Sequence, residues 1–472
     1  MHGYDQADDR GDGGMSYPSY SEYRDSGVEW IGAIPSHWKV SPLRGFAEHT
    51  PLAFIDGDWI ESPFVTDEGV RLIQTGNIGI GEYKEKGFRY ISEETFIQLK
   101  CTEVKPDDIL ICRLAEPVGR ACKAPDFGVK AITSVDVCIL KPNDRAVANF
   151  LVYALSCDQY LQFMDAVARG GTRQRVSRTF LGTVRLPTPP EVEQTQIARF
   201  LDYQTARIDA LIAEQQRLIE LLKEKRQAVI SHAVTKGLDP DVAMKDSGVE
   251  WLGKVPEHWT TCKATYLGRF FGSEPIADNE IVSDGNVPVL KVASLSKDSI
   301  EVREWEWYAE PERENIYRPH SNFVAFPKRG AAIFINKVNV VRTKALLDPN
   351  LMGWKVSPDV CLDYMAYSLK CRDISDLADV STVPQINNKH IAPEKFPCPP
   401  RDEQERISSF IDRRTYDFEE LITTALKTVD LLEERRSALI SAAVTGKIDV
   451  REWEPPVSET FPQSTASEEA PA

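Results

Sequence analysis

The sequence predicts an α/β (α+β) protein in which two globular domains are separated by two long helices. The helices are expected to form an antiparallel coiled coil, and the whole chain to carry a pseudo-two-fold internal repeat. Three observations support this: a 14-residue box that occurs twice, a second repeat without gaps, and a long helical pattern inside that repeat. At 472 residues the chain suits two to four domains.

The repeated box is DSGVEWIGAIPSHW at Asp25–Trp38, and it returns as DSGVEWLGKVPEHW at Asp246–Trp259. A second pair aligns Pro187–Asp239 with Pro397–Asp449 without gaps. The boxes are offset by 221 residues and the second pair by 210, so the segment between them is shorter in the second half. Little of that segment matches between the halves. One shared frame therefore carries two different inserts, which suits a scaffold with two different recognition surfaces.

The shared part after each insert is predicted to be a long helix. From Glu193 to Val234 there is no Pro or Gly, and apolar residues recur at three-and-four spacing. Gly237 and Gly446 follow the periodic residues as helix C-terminal signals. About forty residues span roughly 60 Å, and such a helix with a narrow apolar stripe needs a partner. The expected contact residues are Ile197, Leu201, Ile208, Leu211, Leu218 and Leu222 in the first copy, and Ile407, Ile411, Phe418, Leu421, Leu432 and Leu439 in the second.

The helices are expected to be antiparallel because quasi-equivalent halves pack around a dyad perpendicular to them. The alternative is a helical linker with an unrelated packing helix. The predicted segments are a disordered acidic tail (1–24), a first globular domain (25–190), a first helix (191–239), a second globular domain (246–400), a second helix (401–450) and a disordered tail (451–472).

The inserts, roughly residues 40–186 and 260–396, are predicted to mix strands and helices. Helices are expected around Asn149–Val167 and Asp363–Cys371. The expected strands are Asp108–Arg113, Asp136–Leu140, Val287–Val292 and Ala332–Asn336.

The composition sets further limits. The net charge is −16, of which residues 1–24 carry −3 and residues 451–472 carry −4, leaving the body near −9. An acidic body disfavours a simple nucleic-acid binder, so DNA binding would require local positive patches or a basic partner. No apolar stretch approaches a membrane span, and the polar N-terminus is unlike a signal peptide. Nine cysteines without a CxxC pair indicate small buried side chains in a reducing cytoplasm.

The box, the Pro-rich start of the helix and the I-S-x-A-V-T ending resemble the specificity subunits of Type I restriction-modification enzymes. The resemblance covers nearly all of residues 25–450, and each motif occurs twice in the same order. It implies two target recognition domains, each reading one half of a split DNA site, with the helices as a ruler for the spacer. It also implies that the chain is not an enzyme and holds no cofactor or metal.

The partners that the resemblance implies are double-stranded DNA, two methyltransferase subunits clamped on the helices, and motor-nuclease subunits. Those subunits would carry the S-adenosylmethionine, the ATP and the Mg²⁺. The chain itself has no G-x-G-x-x-G, Walker A or amino-methyltransferase motif. Two other hypotheses stay open: a single-chain methyltransferase or nuclease with a divergent site, and a coiled-coil adaptor that never contacts DNA.

The strongest candidate for DNA contact is the basic stretch Arg169–Arg178 of the first insert. Gly170 and Gly171 allow close backbone approach, arginine pairs with guanine or phosphate, and glutamine pairs with adenine. The alternative is a solvated loop that joins insert and helix. The candidate residues are Thr172, Arg173, Gln174, Arg175 and Arg178; the matching stretch of the second insert supplies Gln385, Asn387, Asn388 and Lys389.

Weaker candidates lie at two other places in each insert, where ordinary surface charge is the alternative. One is the turn Gln74–Asn77, with Lys291–Ser294 as its counterpart. The other is a basic strand edge, formed by Lys328, Arg329, Lys337 and Arg342 in the second insert and by Arg113 and Arg120 in the first. The residues of the repeated box are expected to serve the core or domain docking, namely Trp30, His37, Trp38, Trp251, His258 and Trp259.

Overall fold

The computed structural model describes residues 17–144, 147–168, 174–273, 276–310, 318–379 and 383–456. The described residues fall into two compact units: unit 1, Met1–Glu214 with Thr428–Ala472, and unit 2, Gln215–Lys427. Because the units follow contacts and the predicted segments follow chain order, the segment limits stay predictions. None of the described helices is long and apolar enough to cross a membrane.

Unit 1 contains the first insert and its frame. Its helices are α1 Glu93–Gln98, α2 Ala148–Ala154, α3 Asp158–Val167 and α4 Arg178–Thr183, with 3-10 turns at Leu43–Phe46, Ser62–Phe64 and Thr75–Asn77. Its strands are β1 Tyr23–Asp25, β2 Ala33–Pro35, β3 Lys39–Pro42, β4 Phe54–Asp56, β5 Val65–Thr66, β6 Val70–Ile73, β7 Tyr90–Ile91, β8 Ile109–Cys112, β9 Ala121–Lys123, β10 Ala131–Thr133, β11 Val137–Leu140 and β12 Arg185–Thr188.

Two four-stranded sheets form the insert of unit 1. The antiparallel sheet has the order β4-β11-β8-β9, and the other sheet, β10-β6-β7-β5, joins β10 to β6 in parallel. Every residue of β8 and β11 is buried, as expected for central strands that are apolar on both faces. Strand β12 returns antiparallel to β3, so the insert leaves the frame and rejoins it at one place.

The first long helix, α5, runs over Glu191–Lys236, and its residues from Gln215 onward belong to unit 2. The strands of unit 2 are β13 Met244–Asp246, β14 Lys254–Pro256, β15 Thr260–Lys263, β16 Gly268–Phe271, β17 Ile281–Val282, β18 Val289–Leu290, β19 Tyr308–Ala309, β20 Phe323–Pro327, β21 Asn339–Val341, β22 Leu346–Leu347, β23 Leu351–Val356 and β24 Lys395–Cys398. Its helices are α6 Ala264–Leu267, α7 Leu362–Arg372 and α8 Asn388–Ile391, before the second long helix, α9, at Arg401–Val444. Its 3-10 turns are Asp278–Glu280, Val292–Ser294, Ala331–Ile335 and Ile374–Leu377.

Unit 2 repeats the plan of unit 1. The sheet β16-β23-β20-β21 corresponds to β4-β11-β8-β9, the parallel pair β18–β22 to β6–β10, and β15–β24 to β3–β12. The two inserts therefore share a fold although little of their sequence matches.

The long helices confirm the repeat-based prediction, and so do strands β8 and β11 and helix α7. Three predictions need correction. The helix expected at Asn149–Val167 is broken, because α2 ends before Leu155 and α3 starts at Asp158. The strand expected at Ala332–Asn336 is wrong: Ala331–Ile335 forms a 3-10 turn after Gly330. The strand expected at Val287–Val292 is reduced to Val289–Leu290.

A buried carboxylate joins the first box to the start of α5. Glu193 accepts hydrogen bonds from Trp38 Nε1 at 2.8 Å and Tyr20 OH at 3.2 Å, and its Oε1 lies 2.6 Å from His37 Nε2. In unit 2, Glu403 at the start of α9 lies 2.9 Å from His258 Nε2. Trp38 and Trp259 are both buried, which confirms that the box serves the core.

Each long helix ends against a box. The residue after α5, Gly237, has φ +78° and packs on Trp259, whereas Gly446 after α9 has φ +72° and packs on Pro35 and Trp38 of the first box. A side chain at Gly446 would collide with Pro35, so glycine serves both the turn and the close approach. The end of α9 therefore belongs to the core of unit 1, and the end of α5 to that of unit 2.

Some of the residues predicted to face the partner helix are exposed, and the next residue in the chain faces inward instead. Ile197, Leu201, Ile208, Ile407 and Ile411 are buried as predicted, and Leu222, Phe418, Leu432 and Leu439 are half-buried. Three predicted residues instead lie on the exposed side: Leu211, Leu218 and Leu421. Their neighbours Ile212, Ile219 and Ile422 point inward, since adjacent apolar pairs leave the phase of a helix undecided.

The segments flanking this frame are ordered where they are described. Tyr20 is buried, and Trp453 packs edge-on against Phe200. The expectation of disorder is therefore wrong for residues 17–24 and 451–456, because their aromatic side chains have partners in the core of unit 1. Residues 1–16 and 457–472 lie outside the described residues.

Candidate nucleic-acid interface

In unit 1 the candidate loop pairs with the end of strand β8. Ala115 N donates to Gln174 O at 3.1 Å, and Val176 N donates to Arg113 O at 3.1 Å. The loop thus extends the sheet edge by one short antiparallel bridge, between Leu114 and Arg175. The predicted residues Thr172 and Arg173 lie outside the described residues.

The buried side chain of Arg113 holds the loop against the end of β8. Its side chain is 4% exposed; it donates to Val176 O at 3.1 Å and Val135 O at 2.6 Å, and its Nε lies 3.1 Å from Asp56 Oδ1. The expectation that Arg113 contacts DNA is therefore corrected, because its guanidinium is enclosed and occupied by carbonyl and carboxylate oxygens. A buried arginine is stable only with such partners.

Arg175 and Arg178 remain available at the surface. Their side chains are about half exposed, and each has one loose ion pair, Arg175 NH2 to Asp136 Oδ1 at 3.6 Å and Arg178 Nε to Asp56 Oδ2 at 3.7 Å. Arg178 NH1 also donates to Phe54 O at 3.4 Å. Gln174 beside them is exposed. Exposed pairs of this length contribute little, so a phosphate or a base edge can displace the carboxylates.

The turn Gln74–Asn77 lies beside this loop. Its Asn77 was expected to contact DNA, but the side chain has a different role. Asn77 is 1% exposed, and its amide donates to the carbonyls of Lys84 at 2.9 Å and Lys86 at 2.6 Å. It therefore shapes the turn and cannot reach DNA, whereas Gln74 is half-buried. Composition could not separate the two amides, because burial depends on the tertiary partners of each.

Arg120 connects the turn to the strand edge. It donates to Ile78 O at 2.8 Å, to Thr75 O at 2.9 Å and to Leu114 O at 2.9 Å. One buried guanidinium thus gathers the turn, the end of β8 and the loop into a single surface, which we call surface 1 (Gln74, Gln174, Arg175, Arg178). The exposed Lys84 and Lys86 border the turn and were missed, because no motif surrounds them.

Unit 2 has the same arrangement with different side chains. Gly330 N donates to Pro384 O and Ile386 N to Lys328 O, both at 2.9 Å, so the loop docks on the end of β20 as it does on β8. Gln385 Nε2 donates to Asn387 Oδ1 at 2.9 Å, and Asn388 and Lys389 are exposed. Surface 2 comprises Lys291, Lys328, Arg329, Lys337, Gln385, Asn387, Asn388 and Lys389.

The cationic side chains near surface 2 differ in how exposed they are and in how firmly other groups of the protein bind them. Arg329 is exposed, whereas burial, and then the charge of Arg329, lower the pKa of Lys328. Lys337 Nζ lies 3.4 Å from Val292 O, which ties it to the turn that corresponds to Gln74–Asn77. Arg342 is exposed but is held by two carboxylates, Glu301 at 3.2 Å and Asp363 at 2.7 Å.

These surfaces have the chemistry of nucleic-acid contact. Each combines arginine or lysine with amide side chains on a docked loop, and such groups match phosphates and the base edges of the major groove. Within the described residues there is no group of His, Cys, Asp and Glu placed to hold a metal ion.

The long helices expose an apolar set of a different kind. Leu211, Leu218 and Leu221 on α5, and Leu421, Leu426 and Leu431 on α9, are each more than two-fifths exposed. Large exposed apolar side chains are a feature of surfaces that bind other proteins.

Comparisons with known proteins agree with this description. The family model described as the Type I restriction modification DNA specificity domain matches residues 35–221. The putative type I restriction enzyme MjaX specificity subunit of Methanocaldococcus jannaschii is 22% identical over 449 residues, which cover 89% of this chain and 96% of the relative. The EcoBI specificity subunit of Escherichia coli is 31% identical over 191 residues, or 38% of each chain.

A solved structure shares the fold. It is described as the structural basis underlying complex assembly and conformational transition of the type I R-M system. It aligns with a TM-score of 0.67 at 14% identity, covering 87% of this chain and 98% of its own.

Proposed function

Because this chain belongs to the family of Type I restriction-modification DNA specificity subunits, we propose that surface 1 and surface 2 each read one half of a bipartite DNA target. The chain is a DNA-recognition subunit and not itself an enzyme. The two long helices set the spacer between the half-sites and dock two methyltransferase subunits. Motor-nuclease subunits complete the assembly, and S-adenosylmethionine, ATP and Mg²⁺ belong to these partners.

One observation carries the proposal: two loops dock in the same way on two like strand ends, yet present different side chains. The backbone bonds at Arg113 and at Lys328 are equivalent, whereas the exposed groups are two arginines and Gln174 in unit 1, and Arg329 with amides and lysines in unit 2. A single frame with unlike surfaces is what a non-palindromic split site requires, because each half-site needs its own reader.

The acidic body is consistent with a shared DNA interface. With a net charge of −16, the chain alone has too little positive charge to neutralise many phosphates. We expect the methyltransferase subunits to supply most phosphate contacts, so that they raise the affinity and steepen its salt dependence. The exposed leucines of α5 and α9 are the surface on which we place those subunits.

The test is a replacement of residues 260–396 by the corresponding insert of another family member. Methylation of genomic DNA by the reconstituted complex is then mapped by sequencing. We expect the half-site read by unit 2 to change and the other to remain. If both half-sites change together, the two-reader proposal is wrong.

The other hypotheses have separate outcomes. Methyl transfer by the isolated chain would support a single-chain methyltransferase. An adaptor predicts no sequence-dependent DNA retention by the complex even when the methyltransferase subunits are present.

A further inference from the structure

An apolar tip projects from unit 2 at Phe334 and Ile335. Phe334 is 52% exposed and Ile335 45% exposed, on the 3-10 turn Ala331–Ile335. The turn begins after Gly330 at φ +77° and ends at Asn336 in the left-handed region at φ 52°. Ile333, between these ends, is buried and fixes the turn to the body of unit 2.

In the chain, the tip lies between cations that belong to surface 2. Lys328 and Arg329 precede it in the chain, and the backbone of Gly330 is bonded to the loop that carries Gln385. On its other side, Lys337 bonds to the turn Val292–Ser294. Exposed apolar side chains flanked in the chain by cations, and joined through Gly330 to a loop that carries amides, favour a ligand that is anionic at its rim and apolar at one point.

The tip is a property of one insert and not of the frame. The corresponding stretch of unit 1, Leu114–Val118, follows β8 as the tip follows β20, and it ends in the buried Val118. It contains no large exposed apolar side chain. A feature present in one reader alone is suited to discriminating a base, because the two half-sites differ.

We propose that Phe334 and Ile335 contact the C5-methyl group of a thymine in the second half-site. This inference rests on the proposed function. The adjacent arginine and amide groups match base edges of the major groove, and the apolar feature on that edge is the thymine methyl. The tip therefore adds an apolar criterion to hydrogen-bond readout and favours one A·T orientation at its position.

The experiment uses the complete complex with its methyltransferase subunits and a duplex that carries the mapped target. Each thymine of the second half-site is replaced in turn by deoxyuridine, which lacks only the methyl group. Loss of one buried methyl should lower the affinity about fourfold at one position. With Phe334→Ala plus Ile335→Ala, affinity for the thymine duplex should fall about tenfold, and the same uracil replacement should then have no effect.

Matched variants separate the possible reasons for a loss. Phe334→Leu with Ile335→Val retains apolar surface and should restore much of the thymine preference. Ile97→Ala removes an even more exposed apolar side chain from unit 1 and should leave thymine dependence in the second half-site unchanged.

Three results would overturn the inference. These are equal uracil sensitivity in wild type and the double alanine variant, a second half-site without any A·T pair, and a variant that fails to assemble with the methyltransferase subunits. The last would place the tip in a protein interface. Failure of the proposed function is distinct, since wild-type complex would then show no sequence preference at either half-site.

Discussion

Arg436 Nε on α9 lies 2.8 Å from Asp209 Oδ1 on α5, in unit 1. In unit 2, Arg226 NH1 lies 4.0 Å from Glu419 Oε1, and each member of this pair stands 210 positions from its counterpart. The same ion pair thus occurs twice and defines one antiparallel register. The centre of that register falls after Arg217 in α5 and after Lys427 in α9.

That centre is where the proposed ruler should be lengthened. Seven helical residues inserted after Arg217, with seven after Lys427, add about 10 Å and preserve the ion pairs. We expect the spacer of the DNA target to grow by about three base pairs while both half-sites stay the same. Methylome sequencing measures both quantities. Insertion into α5 alone should abolish activity, and an active symmetric variant with the original spacer would refute the ruler.

Glu193 and Glu403 occupy equivalent positions but should differ in importance. Glu193→Ala leaves the indole of Trp38 and the hydroxyl of Tyr20 buried without their acceptor, whereas Glu403→Ala removes only the contact with His258. We expect a loss of about 2–4 kcal/mol for the first variant and about 1 kcal/mol for the second. Denaturant unfolding followed by tryptophan fluorescence compares them. Equal losses would mean that the hydrogen bonds are not the cause.

Lys370 should make the stability of unit 2 depend on pH. Burial, the largest cause, lowers its pKa to about 8, so the folded state loses the proton between pH 8 and pH 10 while the unfolded state keeps it. The unfolded state then binds more protons, and stability rises with pH over that window. Relative to Lys370→Met, the wild type should gain about 1–3 kcal/mol between pH 7 and pH 10. A constant difference between the two unfolding midpoints would contradict this.

Arg113 and Arg175 should separate folding from recognition. Arg113→Ala leaves Asp56 without its buried partner and should cost about 3–5 kcal/mol in the stability of unit 1. Arg175→Ala should change stability by less than about 0.5 kcal/mol, yet cost about 1–3 kcal/mol in binding to the first half-site if it pairs with guanine. A loss that is uniform across sequences, with a smaller salt slope, would assign Arg175 to phosphate instead. Thermal unfolding and DNA titration at two salt concentrations decide between these outcomes.

The repeat explains why so much of the frame was predictable. Trp38 and Trp259 recur at the 221-residue offset of the boxes because each is buried in its own unit against the glycine that follows a long helix. Because the two copies can be aligned from their sequence alone, the approximate helix limits and the correspondence between the two loops can be predicted without knowledge of tertiary contacts.

The candidate site was less predictable, for a physical reason. Arg113 and Asn77 have the side chains of DNA readers, yet both are buried by partners distant in the chain. Phe334 has the side chain of a core strand, yet it is exposed. The sequence gives the chemical nature of each side chain, whereas the exposure of that side chain depends on packing against residues distant in the chain.

Gly446 packs against Pro35, and Asp449 N donates to Pro18 O at 2.6 Å. These contacts join the end of α9 to the first box of unit 1, although the two segments are far apart in the chain. The second helix leads into the first box through space, as the first helix leads into the second box through Gly237 along the backbone. A circular permutant that starts near residue 240 and joins residue 456 to residue 17 by a short linker should retain every contact described for either unit.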